Sequence, residues 1–255
     1  MYTLSLLSLA LATSSLVSSA ALKPRNIGLD EVLVFGAGGR QEIVKMADYQ
    51  AELARTNTTI GRPESPFDWA DSWESPIDGE DDEDSANNGT NIEKRCTNVK
   101  LIVRNKDSDF LDWDLPMSSA FHATVSSGTV SVTAGYSVAD SITVSNEVDY
   151  TFVKDVLSAS VGISYSTQWT STHSAAYTST VPKGKWGIMV SNPRVFRRSG
   201  YAKVGCIGSQ RSTYFQADQH FSQDYKGLAW VQGSISLCTS NTYPIKKCIG
   251  SGFNY

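Results

Sequence analysis

Val130-Ser-Val-Thr-Ala134-Gly-Tyr-Ser-Val138-Ala-Asp-Ser-Ile142-Thr-Val144-Ser-Asn-Glu-Val148-Asp-Tyr150-Thr-Phe152 places apolar side chains at even positions. Ser, Thr, Gly, Asp or Glu fills nearly every odd position between them. From Leu157 the parity reverses: Leu157, Ala159, Val161, Ile163, Tyr165, Trp169, Ala175, Tyr177 and Val181 are odd. Alternation with a period of two belongs to strands with one buried face, and no helix sustains it. The switch at Lys154-Asp155 predicts a hairpin with Phe152 opposite Leu157, Tyr150 opposite Ala159, Val148 opposite Val161 and Val144 opposite Tyr165. A slip of one residue would reverse every side chain, so the register is tightly specified. Lys-Asp is a poor two-residue turn, and a four-residue loop from Val153 to Val156 keeps the same register. Each arm would run roughly 75 Å if straight at about 3.3 Å per residue, so it bends, breaks near Asp140 and His173, or is unusually long.

Outward from this hairpin, further strands are read at Val99–Val103, Trp186–Ser191, Tyr201–Ile207, Thr213–Ala217 and Leu228–Leu237. Val181-Pro-Lys-Gly184 and Ser191-Asn-Pro193 punctuate them as turns. No helix is expected after residue 95. The fold class is therefore all-β: a single antiparallel domain over residues 96–255, sandwich-like or aerolysin-like with a long alternating hairpin.

The preceding residues differ in kind. Residues 1–95 carry 8 basic and 16 acidic side chains, whereas residues 96–255 carry 14 and 10. The balance passes from −8 to +4. Leu4 to Ala12 is a short apolar run, and Ser18-Ser-Ala20-Ala21 suits cleavage after Ala20 or Ala21, so residues 1–21 read as a signal peptide. No later run is long and apolar enough for a membrane-spanning helix. Residues 22–95 read as an acidic pro-segment with little structure. Its Gly61–Asn91 stretch contains Glu80-Asp-Asp-Glu-Asp84 and too little apolar surface to offset the entropy of ordering. One short helix is expected over Arg40–Arg55. Val34-Phe-Gly-Ala-Gly-Gly-Arg40 lacks the third glycine and the βαβ context of a dinucleotide-binding turn. Lys94-Arg95, immediately before Cys96, is similar to the dibasic sites of kexin-type proteases. The sequons at Asn57 and Asn88 both precede it. The expectation is a secreted, extracellular protein.

Export permits disulfides, and Cys96, Cys206, Cys238 and Cys248 allow three connectivities. Cys96–Cys248 with Cys206–Cys238 is favoured, because Cys206 lies on one expected strand and Cys238 ends another; Cys238–Cys248 would close a small loop. Catalytic patterns such as Gly-x-Ser-x-Gly, His-Glu-x-x-His and the P-loop are absent. The histidines are His122, His173 and His220; of these His122 and His220 with Asp218 form the one set that could converge for acid–base chemistry, and a structural role is favoured. Asp107, Asp109, Asp112 and Asp114 could offer oxygen ligands to calcium, although the EF-hand glycine and glutamate are missing. Arg194, Arg197, Arg198, Lys203 and Arg211 form the basic concentration, a candidate patch for a polyanion or anionic lipid. No cofactor and no nucleic acid is expected.

Several stretches resemble the Celp-type effector-like proteins secreted by filamentous ascomycete fungi. They are Ser131-Val-Thr-Ala-Gly-Tyr-Ser137, Val153-Lys-Asp-Val-Leu-Ser158, Trp169-Thr-Ser-Thr172, Val181-Pro-Lys-Gly-Lys-Trp-Gly187, Val190-Ser-Asn-Pro193, Gly205-Cys-Ile-Gly208, Ser234-Ile-Ser-Leu-Cys238 and Lys247-Cys-Ile-Gly250. The resemblance implies a secreted, non-enzymatic protein acting on a host or environmental partner, and brings no catalytic residue. The long Ser/Thr-alternating arms with an apolar tip, Phe152, Val153, Val156 and Leu157, also resemble aerolysin-type pore-forming proteins. That likeness implies a hairpin over residues 143–167 that inserts into a membrane as paired barrel strands.

Overall fold

The computed structural model describes residues 25–36, 40–65, 73–74, 98–132, 137–146, 149–161, 167–169, 172–173, 177–225 and 228–255. Strands β1 (Arg25–Ile27), β2 (Glu31–Gly36) and β3 (Arg40–Lys45) lead to helix α1 (Met46–Arg55), then β4 (Thr59–Ile60) and β5 (Trp73–Glu74). Next come β6 (Asn98–Arg104), β7 (Ser108–Leu111), β8 (Leu115–Pro116), β9 (Phe121–His122), β10 (Gly128–Ser131), β11 (Val138–Ala139) and β12 (Ser141–Val144). Helix α2 (Tyr150–Val161) precedes β13 (Gln168–Trp169), β14 (Thr172–His173) and β15 (Tyr177–Val181). The chain closes with β16 (Trp186–Cys206), β17 (Arg211–Gln219), β18 (Ser222–Tyr225), β19 (Leu228–Val231), β20 (Gly233–Ser240), β21 (Ile245–Lys246) and β22 (Phe253–Asn254). The protein is all-β, as the alternation predicts.

The spine is β16, 21 residues long. Along one edge it pairs successively with β9, β8, β7 and β6; along the other it pairs first with β20 and then with β17. Its first half, Trp186-Gly-Ile-Met-Val190, is a continuous apolar run because both faces are covered. Met189 faces a core with Ile27, Leu33, Val130, Val181 and Ile235, between the large sheet and the three-stranded sheet β1-β15-β10. Ile188 and Val190 face the opposite way, against Cys238 and Ile245. Gly187 leaves no room for a Cβ against Val181 and Leu237, so the crowding on both faces is literal. In the second half, Ala202 packs with Phe215 and Ala217 of β17, Ile142 and Val144 of β12, and Val153 and Leu157 of α2.

The expected hairpin is present at its base and replaced at its tip. β10 and β15 pair antiparallel with Val130 opposite Ser179. That is the register obtained by carrying the Phe152–Leu157 pairing outward. β11 and β13 pair with Val138 opposite Trp169, a shift of two residues, which keeps every side chain on its expected face. Beyond Asp140 the first arm leaves its partner. β12 joins the edge of β17 instead, with Ile142 opposite Ala217, and Tyr150–Val161 is helical. Two expectations are corrected here, the strand pairing across Lys154-Asp155 and the lack of a helix after residue 95. The physical reason is in the residues: Val153 and Leu157 are four apart, share a helix face, and are fully buried in the core under β12 and β17.

The N-terminal segment is also corrected where it is described. The described residues between 25 and 60 are built into the fold: β1 pairs β15, β2 pairs β20, β4 pairs β7, and Ile27, Val32 and Leu33 are fully buried. The helix starts at Met46, since Ile43 and Val44 are taken into the β2–β3 pairing. Thr56 Oγ1 donates to the Glu52 carbonyl and Asn57 takes a left-handed φ of 56°, which ends α1 as Asn often does. Tyr49 docks the helix on β20 through Ser234, and burial pushes its phenol up to about 12 despite that bond and the nearby Arg194 charge. Ala20, Ala21, Asn88, Lys94, Arg95 and the Glu80–Asp84 run lie outside the described residues.

Candidate functional site

The last stretch, Cys238-Thr-Ser-Asn-Thr-Tyr243-Pro-Ile245-Lys-Lys-Cys248-Ile-Gly-Ser-Gly-Phe253-Asn-Tyr255, has glycines where the chain must turn. Gly250 and Gly252 have φ of 105° and 90°, conformations that favour glycine, and Gly250 lies so close to Trp113 that a Cβ would overlap its ring. These turns return the chain as the β21–β22 hairpin, with Ile245 opposite Asn254 and Lys246 opposite Phe253. Ile245 and Asn254 are buried while Lys246, Phe253 and Tyr255 are exposed, so one face of the hairpin is anchored and the other is presented to solvent.

Two devices fasten it. Cys238 on β20 is bonded to Cys248, with Cα atoms 5.8 Å apart. The carboxylate of Asp114, 1% exposed, accepts hydrogen bonds from the Cys248 N–H (2.7 Å), the Ile249 N–H (3.0 Å), Asn192 Nδ2 (2.9 Å) and Asn254 Nδ2 (3.3 Å). This overturns both favoured disulfides. Cys206 is bonded to a partner outside the described residues, and no described cysteine is free. Proximity decides: Cys238 and Cys248 are ten residues apart in sequence and brought together as the hairpin packs back on β20, while Cys206 ends β16 far along the spine.

The anchored hairpin completes a row of rings. His122 of β9 and Ser240 of β20 are the cross-strand neighbours of Trp186 on β16. His122 stacks on Trp186 with centroids 4.3 Å apart and planes 5° from parallel. Tyr243 lies 4.7 Å from Trp186 on its other side, and Tyr255 meets Tyr243 edge-on at 6.5 Å. Tyr243 is 49% exposed, Phe253 51% and Tyr255 73%, an unusual outlay of aromatic area at one end of a molecule. Neutral polar groups edge the row: Ser240 and Thr242 hydroxyls contact one another, and Lys185 Nζ donates to Asn241 Oδ1 at 2.5 Å. Sequence reading missed this face. The available signal was Thr242-Tyr243 and Phe253-Asn-Tyr255 crowding aromatics around a cysteine-bounded loop.

The residues singled out from sequence are dispersed. His122 belongs to the aromatic row. His220, buried, donates its backbone N–H to Asp140 Oδ1 (2.7 Å), has that oxygen 3.3 Å from Nδ1, and tilts against Trp169. Asp218 takes a bidentate bond from Arg197, whose guanidinium also lies over the Phe110 ring. His122 pairs with residue 186 and Asp218 with residue 197 of the same strand, roughly 35 Å apart at about 3.3 Å per residue. They form no acid–base set. His173 lies on β14 opposite Leu228.

The acidic run likewise separates: Asp107 binds Arg104, Asp109 binds Arg194, Asp112 binds Arg62, and Asp114 serves the hairpin. No two of these four are held together as calcium ligands. The basic patch is largely neutralised. Arg194 is paired with Asp109, Arg197 with Asp218 and Arg211 with Asp149, while Arg198 donates to Gln219; Lys203 stands between Ser212 and Leu101. Of the apolar tip, Val153 and Leu157 are in the core, and Phe152 and Val156 are half-buried on α2. Asn57 is exposed after α1. Asp114, Cys238 and Cys248 would be the one cluster with metal-ligand spacing among the described residues, and there the disulfide and four hydrogen-bond donors already occupy the ligand atoms.

No family model, curated protein or solved structure matches the chain.

Proposed function

We propose that the protein is a secreted, non-enzymatic binding protein, effector-like in its mode of action, which engages a host or environmental partner through the aromatic face. One observation carries this reading: His122, Trp186, Tyr243 and Tyr255 form a continuous row, exposed except at the half-buried Trp186, held by a disulfide and a buried carboxylate. Exposed aromatic rings on a rigid support are the usual anchors of recognition, since they bring large contact area at small cost in side-chain entropy. The resemblance to Celp-type effector-like proteins agrees with it. The test uses protein from culture medium. Tyr243→Ala or Tyr255→Ala, at exposed rings, is expected to abolish partner capture and biological activity with little change in unfolding temperature. His220→Ala is expected to leave capture intact; loss of activity in His220→Ala alone, with unfolding unaltered, would favour catalysis instead.

A second reading, a β-pore-forming protein, draws on a separate observation. The two arms pair at 128–131 with 178–181 and at 138–139 with 168–169, while the residues between them are diverted into β12 and α2. Release of β12 and α2 would let the arms extend the same hairpin over 143–167, with the apolar face towards lipid. Dye release from liposomes, together with an SDS-resistant oligomer, is the expected result under this reading; neither at any pH or lipid composition would remove it.

A further inference from the structure

At the end of the molecule that carries the aromatic row, the carboxylate of Asp114 is buried beneath the hairpin and taken up by four hydrogen bonds. No Asp or Glu occurs in residues 115–139, 177–217 or 225–255, which include β8, β9, β15, the first half of β16, β20, β21 and β22. Lys183, Lys185, Lys246 and Lys247 lie in the same stretches, and none of the ion pairs among the described residues involves them. Lys185 directly precedes Trp186 and is held by Asn241. Lys246 stands opposite Phe253 on the exposed face of the hairpin, beside Tyr255 in the alternation. Elsewhere Arg62, Arg104, Arg194, Arg197 and Arg211 are matched with carboxylates; here Lys183 and Lys246 are exposed, Lys185 is held by a neutral amide, and Lys247 lies over the Trp113 ring. The exposed surface of this end therefore carries a positive field, with the acidic group Asp114 buried beneath it.

From this juxtaposition we infer that the aromatic face is a binding site for an acidic polysaccharide of the uronate class, a deepening that rests on the binding reading above. A pyranose ring presents C–H groups on one face and hydroxyls around its rim. The C–H face packs on an aromatic ring, the hydroxyls meet Ser240, Thr242 and Asn241, and a carboxylate on C6 meets a lysine. One charge per sugar suits the few lysines here, Lys185 beside Trp186 and Lys246 opposite Phe253. A heavily sulfated chain would call for a denser cluster, as would the phosphates of a nucleic acid, which these lysines do not form. The rings are also closed on one another at 4.3 and 4.7 Å, which leaves no gap for a nucleobase between them. The row offers an extended surface to lie along, not slots to enter.

Binding of the secreted protein to polygalacturonate, measured by calorimetry or affinity electrophoresis, tests the inference, with a neutral β-glucan, heparin and a single-stranded oligonucleotide as parallel probes. The expected result is binding to polygalacturonate that weakens as salt rises, and weaker or no binding to the other three. Tyr243→Ala and Phe253→Ala, at rings about half exposed, should each lower affinity about tenfold or more. Lys185→Gln and Lys246→Gln should lower it several-fold and reduce its salt dependence. Tyr255→Ala guards against misfolding, because a ring 73% exposed at the chain end can be removed without disturbing the core. Preference for heparin or the oligonucleotide, equal binding to the neutral glucan, or no binding to polygalacturonate overturns the acidic-glycan assignment. The broader reading is judged separately: it survives if Tyr243→Ala still abolishes biological activity with unfolding unaltered, and falls if that variant is fully active.

Discussion

Asp114 joins the aromatic face to the core at the scale of one side chain. Its two oxygens serve four donors from β16, the 248–249 turn and β22, those from Asn192 and Asn254 buried and those from Cys248 and Ile249 partly so. Asp114→Ala strands those donors in a buried site, which costs on the order of 3 kcal/mol and should release the C-terminal hairpin before the sheets unfold. Hydrogen exchange at Cys248 and Ile249 would report it; unchanged protection would mean the disulfide alone suffices. Asp149 is a second buried carboxylate with a different task, since it accepts from Arg211 Nη2 at 2.6 Å and from Thr213 Oγ1 at the start of α2. Burial alone would raise its pKa, but the bonds from Arg211 and Thr213 and the charges of Arg211 and Lys100 outweigh burial and hold it below 3.8. A depressed carboxylate contributes stability that is fully present above its unfolded value and is lost as pH falls through the folded one. The stability curve should therefore drop below about pH 4. Asp149→Asn should flatten that acid limb, and an unchanged limb would place the acid sensitivity elsewhere.

Element by element, α2 is where local patterning and tertiary packing disagree. Tyr150 and Phe152 continue the even-numbered alternation of a strand, yet Tyr150–Val161 is helical. Tyr150, Val153 and Leu157 also fit the three- and four-residue spacing of a helix face, so the stretch suits either period. The helix is selected because β17 offers β12 an edge and the floor beneath it offers Val153 and Leu157 full burial. Ser158→Pro should cost about 3 kcal/mol and reduce the helical circular dichroism signal. In a hairpin arm the same change would leave that signal untouched. At Gly200, β6 and β16 approach so closely that a Cβ would overlap the Val103 carbonyl and the Arg104 Cα. Gly200→Ala should separate these strands and destabilise by about 1–3 kcal/mol, read from the midpoint of chemical unfolding.

On the scale of the whole molecule, the N-terminal segment and the residues after 98 share one core. Ile27 and Leu33 pack with Val130, Val181, Met189 and Ile235, and α1 docks through Tyr49. If the chain is cut after Lys94-Arg95, the two pieces should stay together. Gel filtration of the processed protein should show both fragments in one peak, separable only in denaturant; a lone fragment starting at Cys96 that unfolds cooperatively would refute this. The acidic stretch would then remain attached after cleavage rather than depart, so proteolysis would open a loop without unmasking the domain. Loss of the Cys238–Cys248 bond, by Cys248→Ser paired with Cys238→Ala, should cost about 2–4 kcal/mol and weaken any ligand of the aromatic face. Far-removed properties, such as the pairing of β6 with β16, should be unaffected.

Period and parity were legible in the residues alone. Alternation over 128–132 and 177–181 yielded strands, faces and register together, because side chains on a strand point up and down in strict turn and one buried face is enough to determine them. The continuous apolar run at 186–190 likewise marked a strand. Those are local constraints, written into each residue and its neighbours. Three outcomes depended on surfaces that exist only after folding. Helix α2 formed because a core lay under it. The cysteines paired by which strands came to lie side by side, Cys238 with Cys248. The aromatic row arose because β9, β16 and the C-terminal hairpin bring residues 122, 186, 243 and 255 into contact across up to 133 positions of chain. Proximity between distant residues is a property of the packed sheets, and it decided where this chain keeps its exposed rings and its unmatched charge.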